Sequence, residues 1–186
     1  MDRKHYSNSG LLKSPPIRVM TSKQANDMLD EWHYLGRVCG TIYALGHRGG
    51  CCVFTNCRSR VYEQKHNGVI ELARMVGRPN HRWAMSSLMS KCIKWLKRNT
   101  NYKLVVTYAD PFAKHDGKVY KSAGWVFDGM IGKDGHPLFF IDGERISPRT
   151  LYDRHGTQAV GAMNKIYGDR LELKLKPLKK RFIKSI

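Results

Sequence analysis

The apolar positions along the chain switch between two periods. Residues 104–108 form a short run rich in β-branched side chains, which predicts a buried strand. Asp110-Pro111 stops it, because proline has no N–H to extend a ladder. Residues 117–123 predict a short helix closed by Gly124, and 126–130 a further strand. Upstream, 17–20 reads as a first strand. A helix follows from Lys23 to about Trp32, capped by Thr21 or Ser22, with Ala25, Met28, Leu29 and Trp32 at helical spacing. Residues 40–45 and 50–55 predict a hairpin turning through Gly46-His47-Arg48-Gly49. The polar stretch 58–67 is expected as loop, 68–76 as a strand, and 79–99 to contain the clearest helix. Residues 137–141 predict another strand, and Leu171, Leu173 and Leu175 alternate with charge as in an edge strand or ribbon. This order predicts an α/β fold with a central mixed sheet flanked by helices.

Charge narrows the partners. There are 33 Lys and Arg against 15 Asp and Glu, a formal +18, while 41% of residues are hydrophobic. That apolar content excludes a disordered polycation. The charge favours a polyanion, nucleic acid first and an acidic membrane surface second. No run approaches the roughly 20 apolar residues of a membrane span, and 1–10 lacks a signal-peptide core; a cytoplasmic protein with no membrane partner is expected. The five cysteines lack zinc-site spacing, and Cys51 and Cys52 read as small apolar strand residues. Cations crowd the chain from Arg145 onward. The expected organisation is therefore an arm at 1–16, a main domain at 17–147 and a basic extension at 148–186. Arg149, Arg154, Lys174, Lys176, Lys179, Lys180 and Arg181 are the candidates for gripping double-stranded DNA phosphates.

Several residues carry candidate chemistry, each beside an ordinary structural role. His33 has the side chain whose pKa lies nearest neutrality, so it can move protons or bind a metal; with Tyr34 it would equally close a helix end. Asp110 can accept a proton from an attacking amine or hold it, or simply end a strand before proline. Tyr120 can donate a proton, or serve as an aromatic at the core edge. Arg74 is an internal charge expected to pair with Glu71 or Asp110.

The spacing Tyr120-x-x-x-Gly124-Trp125 resembles the Tyr-x-x-x-Gly-Phe signature of the GNAT acyltransferase superfamily. Tyr108-Ala109-Asp110-Pro111 followed by His115-x-Gly117-x-x-Tyr120 resembles the phage Mom family more particularly, and His33-Tyr34 matches that family's His-Tyr pair. The resemblance is strongest at His33-Tyr34, 71–76 and 108–125. The usual GNAT pyrophosphate loop, Gln/Arg-x-x-Gly-x-Gly/Ala, is absent. The Mom family has Asn-x-x-Ser there, and this chain has Ala84-Met85-Ser86-Ser87, keeping a Ser without the Asn.

The resemblance implies a GNAT-like fold, acetyl-CoA as cofactor, iron, and a methylcarbamoyl-type modification of adenine that protects phage DNA from restriction. It implies His33, Tyr34, Asp110 and Tyr120 as catalytic residues. A coenzyme A derivative would lie near Arg74, Val76, Arg78, Arg82, Ser86 and Ser87, its pyrophosphate at a helix N-terminus. His33, Asp110, His115 and Asp116 are the possible iron ligands. Two other classes remain open: an ordinary GNAT N-acetyltransferase of a protein or small amine, and a non-catalytic nucleic-acid-binding module. The first calls for the standard loop and has no need of +18; the second leaves Asp110 and Tyr120 without a pocket.

Overall fold

The computed structural model describes residues 13–111, 115–132, 137–175 and 178–186. The chain divides into two compact units, Met1–Gly129 with Lys180–Ile186, and Met130–Lys179. The N-terminal arm before residue 13 lies outside the described residues.

The first unit is built on a mixed seven-stranded sheet, completed by the chain's last strand. Its elements are β1 (Arg18–Met20), α1 (Ser22–Trp32), β2 (Thr41–His47), β3 (Gly50–Asn56), α2 (Arg60–Lys65), β4 (Val69–Gly77), α3 (Met85–Asn99), β5 (Leu104–Ala109), α4 (Lys118–Ser122) and β6 (Val126–Ile131). The sheet order is β1-β2-β3-β4-β5-β10-β6, where β10 is Lys179–Ser185. Only β4 and β5 pair in parallel among the registers described. Alternation sorts the side chains to two faces. Leu45, Cys52, Phe54, Ile70 and Leu72 meet Leu88, Met89, Cys92 and Leu96 of α3, with Tyr120 and Trp125 beside them. Ala44, Cys51 and Val53 point the other way, onto Ala25 and Leu29 of α1.

Local signals set most boundaries. Thr21 caps α1 through a reciprocal box with Gln24. Residues 79–84, expected as the first turn of the long helix, instead form a turn. Asn80 adopts a left-handed φ of 60°, and His81 stacks on the buried Trp83 at 4.1 Å, so α3 begins only at Met85. The stretch expected as loop at 58–67 contains α2, because Ser59 accepts the Tyr62 N–H and Tyr62 is buried. Gly117 precedes α4 at φ +85°, and a Cβ there would lie 2.2 Å from the Phe182 ring, so no other residue fits.

The second unit carries a three-stranded sheet, β8-β7-β9, formed by Pro137–Ile141 (β7), Glu144–Ile146 (β8) and Leu171–Leu175 (β9). Between β8 and β9 run α5 (Pro148–His155) and α6 (Val160–Tyr167). Phe139, Ile141, Leu151 and Met163 form its core. The units therefore divide at 129/130 and 179/180 rather than at 147/148. The physical reason is β10. Phe182 is fully buried against the α3 face and six residues of the strand pair with β5, so Lys180–Ile186 is sheet and not extension. Among the described residues no helix is long and apolar enough to cross a membrane.

Candidate active site

The parallel pairing of β4 with β5 runs only from Val69↔Leu104 to Glu71↔Val106. Beyond it β4 carries a bulge: Val53 of β3 opposes Arg74, and Phe54 opposes Leu72, leaving Ala73 extra. The two strands part at that bulge. Thr107 marks the fork by donating its hydroxyl to the Leu72 carbonyl at 2.9 Å.

Around the fork the structure gathers His33, Tyr34, Arg74, Asp110 and His115. His33 ends α1, its N–H bonded to the Leu29 carbonyl. Its Nδ1 accepts the Leu35 N–H at 3.1 Å, which leaves the proton of the neutral ring on Nε2. Burial, followed by the nearby positive charge of Arg74 and then His115, pushes its pKa down to about 4. Tyr34 stacks on His33 with ring centres 4.7 Å apart and meets His115 edge-on at 5.6 Å. It stays 52% exposed, so part of its ring is open to a ligand. Its phenol faces Asp110. Burial first, and then that carboxylate, push the phenol's pKa up to about 12, so Tyr34 is protonated at neutral pH.

Asp110 is 5% exposed at the end of β5, and its backbone carbonyl accepts the His115 N–H. Arg74, expected to pair with Glu71 or Asp110, feels both carboxylates electrostatically. Glu71 is occupied by Arg58, through the backbone N–H at 3.1 Å and an ion pair at 3.7 Å. Arg74 turns one nitrogen back to the Ala73 carbonyl at 2.8 Å, and its buried Nε has no hydrogen-bond partner among the described residues. Burial and the neighbouring Arg58 lower its pKa.

Tyr120 lies apart, on the α3 face. It packs between Trp125 and Phe182, its hydroxyl 3.4 Å from Thr107 Oγ1. Burial raises its pKa, so it too keeps its proton. Thr107 is the residue sequence reasoning passes over; a hydroxyl inside an otherwise apolar strand is the available signal.

The residues expected to hold coenzyme A run from the end of β4 into α3. Val76 is buried, Arg78 and Arg82 are exposed in the turn, and Ser86 lies in the first turn of α3. The N-cap position of α3, Ala84, supplies no side-chain cap. Ser87 is engaged, accepting the Ser14 N–H at 3.1 Å. The orphaned Arg74 Nε at the fork and the uncapped helix start fit an anionic, carbonyl-bearing ligand.

Iron fits less well. Asp116 is taken by Lys118, His33 Nδ1 by Leu35, and among the described residues no three or more His, Cys, Asp or Glu side chains converge on a metal position.

The DNA-binding candidates are scattered. Arg181 is engaged in the first unit: its Nε donates to Asp128 Oδ2 at 2.6 Å and its guanidinium stacks on Tyr62 at 4.5 Å. Lys180 is half-buried on β10, which Lys179 begins. Arg154 is exposed on α5, and Lys174 of β9 pairs with Glu172 at 3.1 Å. Lys176 and the side chain of Arg149 lie outside the described residues.

The family model described as the Mom protein family matches residues 16–184. No curated protein matches the chain.

Proposed function

The chain belongs to the Mom protein family, a family of phage DNA modification, and from that premise we propose that it transfers an acyl-derived, methylcarbamoyl-type group to the exocyclic amine of adenine in DNA. We read the fold as GNAT-like, supported by the parting of β4 from β5 and by β10 lying between β5 and β6. The observation that carries the catalytic assignment is the fork itself. There a buried carboxylate, a protonated phenol and a guanidinium with an unused donor converge.

Adenine's exocyclic amine is a weak nucleophile because its lone pair is delocalised into the ring. A base in duplex DNA must also leave the stack to be reached. Asp110 accepts a hydrogen from the amine, raising its electron density and fixing its direction of attack. Tyr34 keeps its proton against Asp110, and its half-exposed side chain, stacked on His33 and met at right angles by His115, would offer stacking surface to a flat base. His33 is neutral above about pH 5, so it adds no positive charge to repel an incoming amine's hydrogens.

Arg74, whose buried Nε has no hydrogen-bond partner among the described residues, would stabilise negative charge developing on a carbonyl oxygen. A bound coenzyme A thioester would supply the activated carbonyl. The adenine nitrogen bonds to it as the C–S bond breaks, so a methylcarbamoyl product requires a thioester that already carries the methylcarbamoyl group, an acetyl thioester giving only N-acetyladenine. Arg78, Arg82, Ser86 and the first turn of α3 would hold its phosphates. Tyr120, protonated and bordering the fork through Thr107, is the donor for a departing thiolate.

The test is mass spectrometry of nucleosides from DNA made beside the wild-type protein and beside Asp110→Asn and Tyr120→Phe. General acid–base groups contribute about 100- to 10,000-fold, so each folded variant should lose most modified adenine. Near-normal modification by folded Asp110→Asn would leave Asp110 as a strand terminator only.

A further inference from the structure

Most of the excess charge lies in the first unit, which includes Lys180–Ile186. The second unit holds 9 Lys and Arg against 6 Asp and Glu, a net +3, and the first holds 24 against 9, a net +15. Within the first unit the charge is divided by face. The helices on one face, α3 and α4, carry six cations (Lys91, Lys94, Lys97, Arg98, Lys118, Lys121) and no carboxylate. Those on the other, α1 and α2, carry three cations and four carboxylates. Both pairs of helices cover the same sheet, so nothing about sheet packing calls for this difference.

The cations on α3 are not absorbed by local partners in the way Arg181 is. Positions 94, 97 and 98 are spaced to share one side of a helix, and all three side chains are exposed. The opposite side of α3 is the fully buried row Leu88, Cys92 and Leu96. Lys91, nearer the start of the helix, is the exception, bonded to the backbone carbonyls of Ser14 and Pro15. Lys121 is exposed on α4, which packs beside α3. A row of like charges three or four residues apart costs a few tenths of a kcal/mol per pair in an isolated helix. That cost is recovered when a polyanion neutralises the row and its condensed counterions are released.

We infer that the α3–α4 face, centred on Lys94, Lys97, Arg98 and Lys121, is the surface that engages the sugar–phosphate backbone of duplex DNA. This inference rests on the DNA reading above. It assigns the electrostatic grip to this face rather than to Arg154, Lys174 and the segment 148–179. Interactions of this kind hold and orient the duplex without reading its sequence.

The test compares salt dependence of binding to one unmodified duplex. Each phosphate that the protein no longer neutralises lowers the slope of log affinity against log salt by about 0.9. The quadruple variant Lys94→Gln, Lys97→Gln, Arg98→Gln and Lys121→Gln keeps good helix formers, and its melting curve confirms folding. Its slope should be shallower than wild type by about 2 to 4. Arg154→Gln with Lys165→Gln, both exposed in the second unit, should leave the slope within about 0.5 of wild type. An unchanged slope in the folded quadruple variant, or a larger fall in the double variant, overturns the assignment. So does a quadruple variant that keeps its grip on DNA and loses only adhesion to vesicles of anionic lipid. Wild-type protein that binds no duplex even at low salt would overturn the DNA reading along with the surface.

Discussion

Tyr34, just past the end of α1, presents its phenol to the carboxylate of Asp110 at the end of β5, and its proton is held up to about pH 12. Because Tyr34 does not ionise near neutrality, its contribution is to position Asp110 and to offer a ring face. Tyr34→Phe keeps the ring and removes the hydroxyl; Tyr34→Ala removes both. The rate of adenine modification should fall modestly for Phe and at least about tenfold further for Ala, since stacking is worth about 1–3 kcal/mol per base. Equal losses in the two variants would show that the ring face plays no part.

His33 gives a pH dependence with a definite sign. Its folded pKa, about 4, is below the ordinary 6.5, so between those values the unfolded chain binds the extra proton. Stability from this group is complete above pH 6.5 and is lost as pH falls toward 4. His33→Gln should therefore flatten the stability curve across that window and leave its slope above about pH 7 as in the wild type. Chemical denaturation at intervals from about pH 4 to 8 checks this. A wild-type curve that rises on acidification contradicts it.

Arg181 is a DNA candidate by sequence, and the structure engages it with Asp128 and Tyr62 in a part-buried cluster. Hydrogen bonds involving charged groups contribute about 1.5–3 kcal/mol. Arg181→Gln should lower unfolding stability by about that much while the salt slope of DNA binding stays at its wild-type value. A shallower slope with unchanged stability would restore Arg181 to the phosphate-binding surface.

The sequence disclosed elements wherever one face was apolar and turn chemistry was explicit. Leu104–Ala109 before Asp110-Pro111 and Pro137–Ile141 emerge as predicted, and so does the hairpin of β2 and β3, except that Gly46 and His47 belong to β2 and the turn is only Arg48-Gly49. β10 did not, because hydropathy cannot recognise Lys-Lys-Arg-Phe-Ile-Lys-Ser as an interior strand. Its Phe182 is buried, while Arg181 and Lys184 satisfy themselves on Asp128 and the Gly124 carbonyl. The same blindness hid α5 and α6, which occupy the stretch described only as basic. At the site, the His33-Tyr34 and Asp110 motifs pointed to residues that do converge. The pairing of Glu71 with Arg58 was not legible, since nothing local relates the two. Nor was the turning of Arg74 back onto the Ala73 carbonyl.

Gly117 belongs to the motif for a packing reason. Gly117→Ala would force a side chain into left-handed backbone and drive its Cβ against the Phe182 ring. Strain and overpacking together should cost about 2–4 kcal/mol. Thermal melts check this, and Phe182→Leu in the same chain should recover part of the loss. A neutral Gly117→Ala would show that α4 and β10 separate freely.

The most direct measurement is nucleoside mass spectrometry of DNA from cells producing the wild-type protein, with Asp110→Asn as the matched control. The account predicts a heavier adenine nucleoside with wild type and its near-complete loss with the folded variant. Unmodified adenine beside abundant, folded wild-type protein would contradict it, as would the same modification in both samples.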